Sequence, residues 1–63
     1  MRYDVLVTRY DFDLDTPVTG KVAENLIEAE ARAMVTAKME SLHVFLGEWA
    51  EMIPHGAEWA TGI

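Results

Sequence analysis

Cysteine is absent from this chain, and so is any lysine or arginine beyond residue 38. Without cysteine no disulfide can staple the fold, and no thiolate is available as nucleophile or metal ligand. The absence fits a reducing compartment, and a cytoplasmic location is expected. Glycine is sparse and scattered at positions 20, 47, 56 and 62, which excludes a glycine-rich phosphate loop. No stretch approaches the ~18 consecutive apolar residues that a membrane-spanning helix needs. The start, Met1-Arg2-Tyr3-Asp4, interrupts the apolar core that a signal peptide would require. A soluble chain follows from both points.

The missing bases leave a strong imbalance. Eleven Asp and Glu oppose five Lys and Arg, for a net charge of −6. Residues 1–38 hold seven of the acids and all five bases, whereas residues 39–63 hold only Glu40, Glu48, Glu51 and Glu58. Direct nucleic-acid binding needs a basic footprint and is not expected. An anionic membrane surface is disfavoured for the same reason. The natural electrostatic complement is a protein with a basic surface.

What is present begins with alternation. Leu6, Thr8, Tyr10, Phe12 and Leu14 share one parity, and Val5 and Val7 share the other with Asp11, Asp13 and Asp15. This period of two predicts a strand over about residues 2–12. Asp13-Leu14-Asp15-Thr16-Pro17 supplies turn chemistry, and Val18, Gly20 and Val22 alternate again, so a β-hairpin over about 2–24 is expected. Gly20 marks a bulge or a close approach of another backbone.

Asn25 followed by Glu28 reads as a helix start, with Asn25 as cap and Glu28 as the third-position acid of a capping box. From Ile27, the positions Ala31, Met34, Val35, Leu42, Phe45, Leu46, Trp49, Met52 and Ile53 fall in one band at 100° per residue, and Pro54 follows. One long amphipathic helix over about 26–52 is therefore expected, with Gly47 on its wet face. Leu42-His43-Val44-Phe45-Leu46 also fits a short buried strand, so a third strand or a second helix after residue 41 is the variant these residues allow. The tail, 54–63, is expected to be irregular, with Trp59 as an anchor if it folds back. The expected fold class is α+β, a single domain of ββα order over residues 1–63.

Catalytic equipment is poor. Glu40 and His43 have the Glu-x-x-His spacing of carboxylate-bridged metal sites, but helical geometry would turn both away from the apolar band, so no metal and no cofactor are expected. Ser41 has no nucleophile-elbow context, and the only histidines are His43 and His55. The chain is not expected to be an enzyme.

Two groups point instead to docking. Asp11, Asp13 and Asp15, if held on one strand face, would space their carboxylates ~7 Å apart, near the step between phosphates of a nucleic-acid strand. The alternative is an ordinary solvated face with turn-favouring residues. With Glu48, Glu51 and Glu58 they form the expected acidic, partner-binding face. Phe45, Trp49, Met52 and Ile53 are the expected apolar interface, because a helix of some 27 residues, ~40 Å long, outreaches what a hairpin can cover. In its size, acidity, lack of cysteine and lack of an active site, the chain resembles the small phage proteins that act against host defence, such as anti-CRISPR proteins and other nucleic-acid mimics. That resemblance implies an inhibitor of a nucleic-acid-handling complex. A small homo-oligomeric structural or accessory subunit, held by the helix band, is the competing expectation.

Overall fold

Four consecutive buried residues, Asp4, Val5, Leu6 and Val7, mark the middle strand of a sheet. Such a run fits a strand with neighbours on both sides, whose flanking side chains help to cover it. The computed structural model describes residues 1–59. Strand β1, Tyr3–Asp11, pairs antiparallel with β2, Thr16–Leu26, and on its other side antiparallel with β3, Trp49–Pro54. The sheet order is β2-β1-β3. Between β2 and β3 lie helix α1, Glu28–Met39, and a single 3-10 turn, Val44–Leu46. The fold class is α+β, and the ββα order holds through residue 39.

The long helix is replaced by a shorter one and a third strand. Helix α1 has 12 residues, and the chain leaves it through bonds from Ser41 N–H to Lys38 C=O and from Leu42 N–H to Met39 C=O. Those contacts tighten the last turn and bring Leu42 into the core with Val7 and Ala50, where Val35 and Met39 pack against them. Continuing the helix would carry residues 49–54 off the sheet and leave β1 with an unpaired edge, which a buried strand cannot tolerate. Ladder pairing therefore overrides helical periodicity; a third strand does follow residue 41, but at Trp49–Pro54, while residues 42–46, expected as the alternative strand, form a loop and the 3-10 turn.

The helix also starts differently from expectation. Ile27, not Asn25, is the capping residue, and its side chain makes no cap bond. Asn25 instead takes a left-handed φ of 58° and donates its N–H to Asp4. Gly20 sits in regular register opposite Val7, and the irregularity falls just beyond it, opposite Val5 and Leu6. Helix α1 packs on β1 and β3. Among the described residues the one α-helix lies on one sheet face, and none covers the other.

Cross-strand partners share a face, so the register sorts the side chains. Val5, Val7, Ala50 and Met52 lie on the helix side; Asp4, Leu6, Thr8, Trp49, Glu51 and Ile53 lie on the far side. There the hydroxyls of Thr8 and Thr19 are bonded at 2.6 Å. Gly47, expected on a wet helix face, closes the 3-10 turn with φ +83°, and a Cβ there would come within 3.1 Å of Pro17 Cγ. Gly47→Ala is expected to lower stability by about 1–2 kcal/mol from the left-handed backbone alone. Contact with Pro17 adds to this, and urea unfolding of the two proteins measures the sum.

Candidate functional site

Two buried carboxylates organise the molecule, one at each end of the sheet. Asp4 is 0% exposed and accepts from four partners. Its Oδ1 lies 2.7 Å from His55 Nδ1 and 3.0 Å from Asn25 N; its Oδ2 lies 3.2 Å from Gly56 N and 3.4 Å from Lys21 Nζ. A carboxylate so supplied with donors stays ionised despite burial. The bond to His55, ahead of those from the Asn25 and Gly56 amides and from Lys21, holds its pKa well below the usual carboxylate range against the opposing effect of desolvation. Burial pulls the Lys21 ammonium down, but the carboxylates of Glu24 and Asp4 outweigh it and leave its pKa raised.

Asp4, Glu24 and His55 are also the acids and imidazole that converge as possible metal ligands among the described residues. Lys21 Nζ lies 3.4 Å from both Asp4 and Glu24, so the cluster already contains its cation. Glu40 and His43 do not join it. The chemistry of the Asp4 cluster is structural: it ties the start of β1, the end of β2 and the turn after β3 to one point.

Glu48 plays the matching role at the opposite end. Expected on the acidic partner-binding face, it is only 7% exposed and turns inward. Its carboxylate accepts from His43 N at 2.9 Å and Tyr10 N at 3.1 Å. The His43 amide first, then the Tyr10 amide, hold its pKa below the ordinary value in spite of desolvation. It fastens the 3-10 turn against β1 and is not free to meet a partner's lysine.

The remaining expected residues divide. Asp11 closes β1, while Asp13 and Asp15 lie in the turn, so the three do not form a straight row on one strand face. Asp11 Oδ1 accepts from the amides of Asp13 and Leu14, at 2.9 and 3.1 Å, and Asp15 has φ 54° and accepts from the Tyr10 hydroxyl. That bond raises the Tyr10 pKa. Turn chemistry thus wins over the phosphate-like spacing. Glu51 is exposed in mid-sheet, and Glu58 is exposed beyond the opposite end of β3. Met52 and Ile53 are half-buried on opposite faces, so the four apolar candidates are not one stripe.

Two of them stay outside. Phe45 is 83% exposed at the 3-10 turn, and Trp49 is 49% exposed at the start of β3. Phe12, Leu14 and Val44 are exposed as well. Glu48 joins Tyr10 to His43, and Gly47 lies against Pro17, so the turn and the hairpin tip are neighbours at one end of the sheet. Phe12 stands edge-on to Tyr10 with ring centroids 4.9 Å apart, and Phe45 leans on His43 at 5.4 Å. The chain matches no protein-family model, no curated protein and no solved structure. Among the described residues no helix is long and apolar enough to cross a membrane. The site therefore rests on its own geometry: protruding aromatic side chains on two short turns, bordered by Asp11, Asp13 and Asp15.

Proposed function

We propose that this chain is a non-enzymatic protein-binding module that occupies a surface of a larger assembly, docking through the end of the sheet that carries Phe12, Phe45 and Trp49. The observation that supports this most is Phe45. A large aromatic side chain left in water is costly to keep there, and here it stands on a turn fixed by two bonds to a buried carboxylate. A side chain held in place before binding loses little freedom on docking, and aromatic anchors of this kind dominate interface energies. Asp11, Asp13 and Asp15 border the anchors, while the nearest acid of the turn, Glu48, is withdrawn into the fold. The fitting partner is a protein with an apolar pocket rimmed by lysine or arginine. An inhibitor of a nucleic-acid-handling complex is the form this takes if the basic rim is one that otherwise meets phosphates. The acid–base pair Asp4 and His55 argues against catalysis, because its carboxylate is committed to four structural partners.

The test is affinity capture from the native cell with three baits, followed by identification of the retained proteins. Wild-type chain should retain a defined partner, Phe45→Glu should lose it by at least roughly tenfold while its circular dichroism is unchanged, and Asp13→Lys should weaken it most at low salt. Equal retention by wild type and Phe45→Glu would rule out this face.

A further inference from the structure

We infer that two copies of this chain pair through the outer edge of β2, making a continuous six-stranded sheet. Within a strand, successive residues turn their N–H and C=O groups to opposite sides. The Tyr10 N–H goes to Glu48, on the β3 side of β1. Arg9 and Val7 therefore turn theirs toward β2, where their register partners are Val18 and Gly20. Pro17, Thr19 and Lys21 consequently face outward. The same logic applies to β3: the Ala50 N–H leaves the sheet for Met39 Sδ at 3.2 Å, so Ala50, Met52 and Pro54 face outward there.

The two edges are not equivalent. On β3, the Ala50 donor is taken by Met39 and Pro54 has none, which leaves Met52 alone between two blocked positions. That is how an edge is protected against pairing. On β2, Thr19 and Lys21 offer two outward donors and two acceptors in succession, with no backbone partner among the described residues. Directional groups in this array fit one kind of ligand, another extended strand.

Gly20 lies between them. Its φ is not in the left-handed region, and a Cβ placed on it would meet nothing within 4 Å. Nothing inside the chain calls for glycine here, although glycine weakens a strand interior. A strand glycine commonly marks close approach of another backbone.

Register identifies the partner as a second copy. An antiparallel pair of identical strands has its two-fold axis on a residue of the open stretch. With the axis at Thr19, Lys21 would face the partner's Pro17, which has no donor. With the axis at Lys21, two ammonium-bearing residues would be directly opposed. With the axis at Gly20, each Thr19 faces the partner's Lys21, and both pairs exchange N–H···O=C bonds, four in all. Val18 then lies beside the partner's Val22, which is half exposed in the single chain. Because each copy has one open edge and one blocked edge, pairing closes at two.

Sedimentation equilibrium over a wide concentration series should give twice the chain mass for the wild type. Thr19→Pro removes an outward amide donor that the fold does not use, together with the hydroxyl bond to Thr8, which Thr19→Val removes as well. It should weaken association by roughly tenfold or more, since two intermolecular bonds are lost, while the circular dichroism stays that of the wild type. Thr19→Val, which keeps the N–H, should still pair. Amide exchange supplies the second measurement and needs no variant: the Thr19 and Lys21 amides should gain protection as concentration rises. A wild type that is monomeric throughout the series, or Thr19 and Lys21 amides that exchange freely at every concentration, would overturn the pairing.

Discussion

Asp4→Ala is expected to abolish cooperative folding at ~25 °C, with a far-ultraviolet spectrum close to that of an unstructured chain. The reserve that one substitution must exhaust is small, because a domain of this length without disulfides or metals holds only ~3–5 kcal/mol of net stability. Asp4 has no exposed surface, and its carboxylate accepts from His55, Asn25, Gly56 and Lys21 at once. Removing it orphans donors on two other segments, β2 and the turn after β3, and leaves a void in the middle strand. Asp4→Asn should fall almost as far, since an amide nitrogen cannot accept from Gly56 or Lys21. His55→Ala removes one partner whose ring is partly in water, and it should loosen the turn after β3 while the sheet persists. If Asp4→Ala melted within a few degrees of the wild type, the carboxylate would not be the point that joins these segments.

The signals for β1, for β2 and for a helix after them are plain in the sequence, because alternation and alanine-rich helix propensity each act locally, but the Asn25 cap signal misplaces where that helix begins. Strand β3 is not plain there, and the reason is in its residues. Trp49, Met52 and Ile53 continue the 100° spacing begun at Ile27, and a short apolar run fits either period. Its identity is set by a neighbour distant in sequence, β1, whose second edge needs a partner. A clue lies in β1 itself: apolar residues of both parities at Val5, Leu6 and Val7 fit an inner strand, which needs a partner on each side. Asp4 carried a clue of the same kind. An acid inside such a run must be paired if it is buried, but Lys21 and His55 become its partners only once the register is known. The aromatic end of the site was half legible, since Phe45 and Trp49 were expected outside for the wrong reason. They stand on a turn and a strand start and are not the far end of a helix. Alternation alone puts Asp11, Asp13 and Asp15 in a row, but the turn claims residues 12–15.

Acid should unfold this protein from the Glu48 end first. Glu48 has a folded pKa below its ordinary value of 4.5, and Asp4 below 3.8. Both are depressed, so the stability they contribute is complete above the unfolded values and is lost as pH falls through the folded ones. Loss from Glu48 begins near pH 4.5, and loss from Asp4 begins below 3.8 and extends further down, because its pKa is held lower. Just below pH 4.5 it is the unfolded chain that takes up the proton at this position, which draws the balance away from the fold; once pH falls through the lowered folded value, the Glu48 carboxylate itself is protonated, its hold on the His43 and Tyr10 amides weakens, and the 3-10 turn with Phe45 comes away from β1. Above pH 6 neither group changes charge, and stability should be flat with respect to them. Glu48→Gln keeps an acceptor of the same shape but removes the charge and one acceptor oxygen. It should weaken the fold at neutral pH and flatten the decline that sets in near pH 4.5, leaving the fall due to Asp4 in place. Amide exchange at His43 and Tyr10 reports the local event, and thermal melts across the same pH range report the global one. A Glu48→Gln protein whose melting temperature declined from pH 6 to pH 3.8 in parallel with the wild type would show that this carboxylate does not fasten the turn. The consequence for binding follows from the same bonds: with Glu48 altered, Phe45 remains exposed but is no longer held in one place, so affinity for the partner should drop even though no contacting side chain has changed.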